Sequence, residues 1–473
     1  MKDDKSLVAL QRQIYVETRH ADRPLPQIMP WVVDRRNLEG AWNRVCAASG
    51  AKTPGPDGLT TCDLIRRKDR WLSELAAQLY RGEYRPAPPR WVDVPKDNGS
   101  SHGKAETRRL GVLNVADRVV QAAFKQVLEP LFEPRFSPDS FGFRPGRSVP
   151  AALDIAVQAL NGTRAAPRPF NYLVKLDVAD CFGTINHSLI TKRLQEHLAD
   201  EGALLLLDRM LKACIVRRPT FWQQAAGIVQ GGSLSPLLCN FYLDPLDQQL
   251  GALAAQTGNG IRALRYADDL LILAGDRGLA RRALSTTKRV LSGLKQRVCH
   301  EKTSIVRAED GVRWLGVTLL PIESESSGGQ KFAYFIPREK LPGMLSRISE
   351  MTVPPSTRIN ASAFDLGQWL VSINEQLDDW WYSYLFAENA RQIFREVDQH
   401  TFERVGELLS RITGQRLRSL YTNHLVRLPR GFKTWQVQGK RLAVLSSLAP
   451  RAPFRLIHHA RWMQRPRQQA TTR

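Results

Sequence analysis

The sequence predicts an α+β fold, with an antiparallel sheet backed by helices. Three observations carry this. Residues 171–182 (NYLVKLDVADCF) alternate as a strand does, residues 260–274 (GIRALRYADDLLILA) read as two short strands joined at Asp268-Asp269, and helical spacing follows each of them. A strand, a helix, a hairpin and a second helix in that order favour a sheet covered by helices on one side.

In chain order, residues 1–50 are polar and basic, with one amphipathic stretch around Leu38–Ala48. Thr53-Pro54-Gly55-Pro56-Asp57-Gly58 is dense in turn residues. Residues 95–108 read as an exposed polar loop, and 110–135 as a helix, because Val119, Ala122, Ala123, Val127 and Leu131 recur at three- and four-residue steps. In the strand at 171–182, Leu173, Lys175 and Asp177 share one face. Asn186 is the expected N-cap of the next helix, with Ile190, Leu194 and Leu198 along its stripe. After the hairpin, the helix near 278–296 turns Leu279, Leu284, Leu291 and Leu294 inward and Arg281, Arg282, Lys288 and Arg289 outward. Met344–Met351 and 364–412 carry helical spacing, 424–455 is short, basic and mixed, and the tail after Arg461 is expected to be frayed.

With 473 residues, 43% of them hydrophobic, the chain suffices for about two to four domains. Lys and Arg number 68 against 46 Asp and Glu, a formal charge of +22 and a pI near 10.1. So basic a chain favours a polyanionic partner, nucleic acid first and an anionic membrane surface second. No apolar run approaches the roughly 18–20 residues that span a bilayer, and the opening MKDDKSLVALQRQ has no signal-peptide core. The expected location is therefore intracellular. The six cysteines, at 46, 62, 181, 214, 239 and 299, form no CxxC pair and are expected as reduced, mostly buried thiols.

Asp177 closes an apolar strand, and Asp268 and Asp269 stand at a hairpin tip. Three carboxylates so placed are costly unless a cation neutralises them. Mg²⁺ takes hard oxygen ligands and keeps several waters, so a few carboxylates plus substrate phosphates suffice. Two such ions about 3.5–4 Å apart serve in-line phosphoryl displacement. The competing reading is a hairpin with two solvated turn aspartates.

The flanks decide between them. Tyr266-Ala267-Asp268-Asp269 resembles the YxDD box of reverse transcriptases, in the form frequent among proteins encoded by group II introns. Other blocks agree in order: Thr53–Gly58, Arg108-Arg109-Leu110-Gly111 with Asp117–Gln121, Phe141–Ser148 (FGFRPGRS), Lys175–Phe182, Gln230–Leu238 (QGGSLSPLL) and Trp314-Leu315-Gly316. Together they cover roughly residues 35–410, and seven ordered blocks are far more specific than any one.

The resemblance implies a right-hand polymerase of fingers, palm and thumb, followed by a helical maturase domain. Its expected divisions are 1–60, 61–335, 336–420 and 421–473. It implies RNA-directed DNA synthesis from dNTPs with two Mg²⁺ ions (Mn²⁺ as a substitute), a structured group II intron RNA and a DNA primer or target as partners, no membrane partner, and a bacterial nucleoid-associated location. Asp177, Asp268 and Asp269 would be the catalytic and metal-binding triad, with the Val178 carbonyl as a further metal ligand. Lys96 and Arg109 would meet the triphosphate, Gln230 and Gly231 would line the dNTP site, and Phe182 would gate against the ribose 2′-OH. Tyr266 and Ala267 complete the box, and Lys302 matches a basic palm position.

For Phe182 plain core packing competes, and for Lys96 and Arg109 ordinary solvation. Gly142 and Gly146 are open to a role in loop geometry alone. Cys181 reads as inert packing. Asn374, Leu377, Trp380, Trp381, Tyr384 and Leu385 resemble the maturase block, or else a helix with an aromatic core stripe. Arg391, Arg395, Arg404, Arg411, Arg416 and Arg418 would face the RNA, or solvent. No cysteine follows Cys299, so an HNH-type endonuclease domain is not expected. Two rival roles stand beside the intron one: a domesticated enzyme of phage defence or CRISPR spacer acquisition, and a splicing cofactor whose polymerase activity is dispensable.

Overall fold

A computed structural model describes residues 2–18, 24–95, 107–163, 169–213, 226–324, 329–353 and 365–448. The chain forms two compact units. One comprises Met1–Ser148 and Tyr172–Ile305, the other Val149–Asn171 and Val306–Arg473.

The first unit is built around the helix Val115–Phe132, which buries 13 of its residues, including Val119, Ala123, Val127 and Leu131. Lys2–Thr18 and Arg35–Ala47 pack against it. The buried Asn37 and Gln126 lock this contact, Gln126 Nε2 donating to the Asn37 backbone and side-chain oxygens at 2.9 and 2.7 Å. Strands β1 (Arg90–Pro95) and β2 (Thr107–Val112) pair antiparallel, Asp93 opposite Arg109. Thr107–Val112 is thus strand where the spacing predicted loop and helix, because pairing with β1 overrides the local pattern.

The central sheet runs β4 (Ile261–Tyr266), β5 (Asp269–Ala274), β3 (Tyr172–Asp177), β6 (Ser304–Arg307). Strand β5 is buried from Leu270 to Ala274, which explains its unbroken apolar run. The predicted strand 171–182 is shorter, ending at Asp177, and the chain then turns through a 3-10 segment at Phe182–Thr184. Asn186 is the N-cap of His187–Gln195, its Oδ1 accepting from Leu189 N at 3.0 Å. The helix Arg277–Gly293 covers the sheet and leaves Arg281, Arg282, Lys288 and Arg289 exposed, as predicted.

In the second unit, β7 (Val312–Trp314), β8 (Val317–Ser324) and β9 (Gly329–Phe335) form an antiparallel sheet against the helix Val149–Asn161. Helices Leu341–Met351, Leu366–Tyr384, Ala390–Thr413 and Leu417–His424 follow, then a small sheet of β10 (Leu425–Arg427), β11 (Lys433–Val437) and β12 (Lys440–Arg441). The buried Asn374 is a clamp, donating to Arg441 O at 2.7 Å and accepting from Ala443 N at 2.8 Å. Leu377, Trp381 and Leu385 are core.

The thiols correct one expectation. Among the described residues only Cys181 and Cys239 are buried; Cys46 and Cys299 are half-buried and Cys62 is exposed. Small residues fit exposed helix positions as readily as cores. Cys214 lies outside the described residues.

Candidate active site

Register sets the site. Antiparallel pairing of β3 with β5 puts Asp177 opposite Asp269, and pairing of β4 with β5 puts Tyr266 opposite Asp269, leaving Ala267 and Asp268 as a two-residue loop. Such a loop needs a positive φ, and Ala267 supplies it at +58°. A non-glycine residue there is strained unless its surroundings hold it.

The surroundings hold it from three sides. Arg265, 1% exposed, donates to Ala267 O at 2.9 Å, to Asn240 Oδ1 at 2.9 Å and to both Asp247 carboxylate oxygens at 2.8 and 2.5 Å. Asn240 Nδ2 donates onward to Gly142 O at 2.7 Å. Gly142 lies so close that a Cβ on it would fall 2.3 Å from Ala267 N, so this glycine is required by close approach. Gly146, with φ +67° and open space around it, serves loop geometry. Val178 N donates to Asp268 O at 3.0 Å, tying the loop to the end of β3.

Two of the three carboxylates have a lysine beside them. Lys302 Nζ donates to Asp177 Oδ2 at 2.6 Å, a contact that raises the lysine's pKa. Lys175 Nζ stands 4.0 Å from Asp269 Oδ1. That oxygen is buried and has no hydrogen-bond partner, the condition of an atom awaiting a ligand. Burial, and then the charge of Asp177, raises the pKa of Asp268, and burial pushes Asp269 up to about 7. The donor set is hard oxygen, suited to Mg²⁺. Among the described residues no three His, Cys, Asp or Glu side chains form a ready metal cluster, so Asp177, Asp268 and Asp269 are neighbours rather than a closed ligand shell.

The titration has a testable consequence. Asp269 binds its proton more tightly folded than unfolded, so its contribution to stability is full below about pH 4 and lost as the pH rises to about 7. Asp269→Asn is expected to remove that part of the slope. Denaturation midpoints of both proteins, in EDTA from pH 4.5 to 8, check it; parallel curves would refute the assignment.

A glycine loop is joined to the β1–β2 hairpin. Gly111 N donates to Gln230 O at 2.8 Å, and a Cβ on Gly231 (φ +109°) would meet Gly111 O at 3.2 Å. Arg109 is exposed with its guanidinium 5.4 Å from the Trp91 ring. Phe182 is half-buried, meeting the Phe143 ring edge-on at 6.3 Å and 86°. Cys181 Sγ lies 3.5 Å from Cys239 Sγ, and that contact, with burial, raises its pKa well above the usual thiol range, so it is inert packing as expected.

Comparison with known proteins bears on this geometry. Residues 94–319 match the reverse transcriptase (RNA-dependent DNA polymerase) family. Protein YkfC of Escherichia coli is 32% identical over 323 residues, 62% of this chain and 82% of that protein. The chain belongs to the reverse transcriptase family. It stands with the group II intron-encoded members: LtrA of Lactococcus lactis is 30% identical over 208 residues, and the putative COX1/OXI3 intron 1 protein of Saccharomyces cerevisiae is 30% identical over 211. These alignments cover 44% of this chain, and 32% and 23% of the two intron proteins.

In this reverse transcriptase the structure brings Asp177, Val178, Tyr266, Ala267, Asp268, Asp269 and Lys302 to one sheet end, and joins Gln230 and Gly231 to the β1–β2 hairpin that carries Arg109. Lys96 lies outside the described residues. Sequence reasoning gave no role to four residues, although Arg108 and Phe143 lie in blocks that carry the resemblance. Arg108, an exposed cation on the opposite face of β2 from Arg109, slightly offsets the rise in the pKa of Asp268 that burial and Asp177 cause. Arg265 and Asn240 brace the loop. Phe143, with φ +60° and half of its surface exposed, is an aromatic held in a strained conformation beside Phe182. The one signal available for Arg265 was a charged residue at an inward strand position.

Proposed function

We propose that this reverse transcriptase copies RNA into DNA, with fingers and palm in the first unit and thumb and maturase regions in the second. The observation that carries the reading is the strand register opposing Asp177 to Asp269 with Asp268 beside them on a braced loop. Asp177, Asp268, Asp269 and the Val178 carbonyl would hold Mg²⁺ or Mn²⁺, two ions in all. A metal held there would supply Lewis-acid activation of a primer 3′-hydroxyl and charge stabilisation for the leaving pyrophosphate. Lys302 and Lys175 balance the carboxylates, and the raised pKa values make metal entry a displacement of protons as well as of ammonium contacts.

Arg109 suits a triphosphate because a guanidinium donates two parallel hydrogen bonds, and Arg108 adds charge on the opposite face of β2. Gln230 and Gly231, joined to the fingers at Gly111, line the nucleotide side. Phe182 closes it toward the sugar, with Phe143 against its edge. The cations of the second unit, Arg391, Arg395, Arg411, Arg416 and Arg418 all exposed, would bind a structured intron RNA and support its splicing.

Primer extension with purified protein on an annealed RNA template and DNA primer tests the polymerase. Incorporation that requires Mg²⁺ supports it, and none on any annealed template refutes it. The gate has its own test. Phe182→Ala is expected to raise ribonucleotide over deoxyribonucleotide use by about 10- to 100-fold, the scale of steric discrimination in a pocket. Competition between labelled dNTP and NTP measures it; unchanged selectivity in a folded variant refutes the gate.

A further inference from the structure

From Leu408 to the last residue the sequence holds 14 Lys and Arg and no Asp or Glu. Within the described part, Arg411, Arg416, Arg418, Arg427 and Lys433 are exposed and make no ion pair among the described residues. A run this one-sided favours a partner carrying negative charge.

Set into it is a group of three near-parallel rings. Phe402, Tyr421 and Trp435 lie with centroids 4.9 Å (Phe402–Trp435), 5.5 Å (Tyr421–Trp435) and 6.4 Å (Phe402–Tyr421) apart, at 21°, 10° and 11°. Trp435 is 1% exposed and its Nε1 donates to Phe402 O at 2.8 Å, so it is core and satisfied. A Cβ on Gly406 would fall 2.8 Å from the Trp435 ring, so the helix Ala390–Thr413 backs it without slack. Tyr421 differs. One face lies on Trp435, yet the residue is 44% exposed, and Leu417, one turn earlier on the same helix, is 43% exposed. A core tyrosine would be covered. A ring held flat on a rigid indole and 44% exposed, with Arg418 three residues earlier on its helix and Arg416 at that helix's N-cap, has the features of a base-stacking site: a π-face with cations on the same short helix.

We infer that Tyr421 is a stacking platform for an unpaired base of an RNA strand, with Arg416 and Arg418 on the adjoining phosphates. This rests on the reading that the chain binds RNA, and gives that binding a place and a preference for single-stranded segments over duplex.

The test is fluorescence anisotropy with the full chain and three probes: an unstructured 12-nucleotide RNA, a DNA of the same sequence, and a blunt RNA duplex of that length. Tyr421→Ala and Tyr421→Leu, the latter keeping apolar cover over Trp435, are expected to weaken the single-stranded RNA by about 5- to 100-fold and the duplex by less than about twofold. Tyr421→Phe should bind like wild type. Arg416→Gln with Arg418→Gln should lower the slope of log affinity against log salt by about one to two, whereas the Tyr421 variants leave that slope unchanged. Equal loss on duplex and single strand, loss on DNA alone, an unchanged Tyr421→Leu, or an unaltered slope in the double arginine variant would each overturn the inference. Primer extension on a pre-annealed template runs beside it. Its failure in wild type bears on the polymerase reading and leaves the binding comparison intact.

Discussion

Asp268→Ala or Asp269→Ala is expected to abolish RNA-templated extension while the protein stays folded. A metal ion that stabilises charge in phosphoryl transfer contributes several kcal/mol, and each 1.36 kcal/mol is tenfold in rate. Removing one of three carboxylates should therefore lower the rate by about 10³-fold or more. The fold should tolerate the change, because burial already disfavours both charges and Asp269 carries an unpartnered buried oxygen. The measurement is single-turnover dNTP incorporation on an annealed RNA template, with a denaturation midpoint for each variant. Extension within tenfold of wild type would show that these carboxylates do not hold the catalytic metal, whatever the fate of the rest of the site.

Arg265→Met is expected to cost stability and activity together. Arg265 is fully buried, pairs bidentately with Asp247 and supports both Asn240 and the Ala267 carbonyl. Deleting one partner of a buried ion pair strands the other charge and typically costs about 3–5 kcal/mol. Pairing it with Asp247→Leu removes the stranded carboxylate and should restore much of the stability. Activity should stay low in the double variant, because the Ala267 carbonyl still lacks its donor and the strained loop its brace. Chemical denaturation separates the two effects from extension rates. If the double variant recovered both, the arginine would be a stability element alone and not a positioning residue for the carboxylate loop.

The catalytic strand, the hairpin and the carboxylates were legible because they are local. Period-two alternation reveals a strand, a two-residue gap reveals a hairpin, and seven ordered blocks reveal a family. The helices at 277–293 and 366–413 were legible for the same reason. The strand Thr107–Val112 was missed because its pairing partner is separated from it by residues 96–106. The sheet β7–β9 was missed although β8 and β9 have eight and seven residues, because Pro321 and the polar run at 323–330 interrupt the alternation that marks a strand.

By itself the sequence determined the chemistry available: three acidic residues at strand ends, a basic chain, and a likeness covering most of its length. Only the tertiary structure decided which charges meet. It put Lys302 on Asp177, 125 residues away, and Arg108 and Arg109 on opposite faces of β2. It linked Asp247, Arg265, Asn240 and Gly142 into a brace beneath Ala267, and laid Tyr421 on Trp435 with a face to solvent. The physical reason is common to all four. Periodicity reports which side of an element is buried, whereas hydrogen bonds and ion pairs depend on which elements pack together, and spacing along the chain carries no record of that.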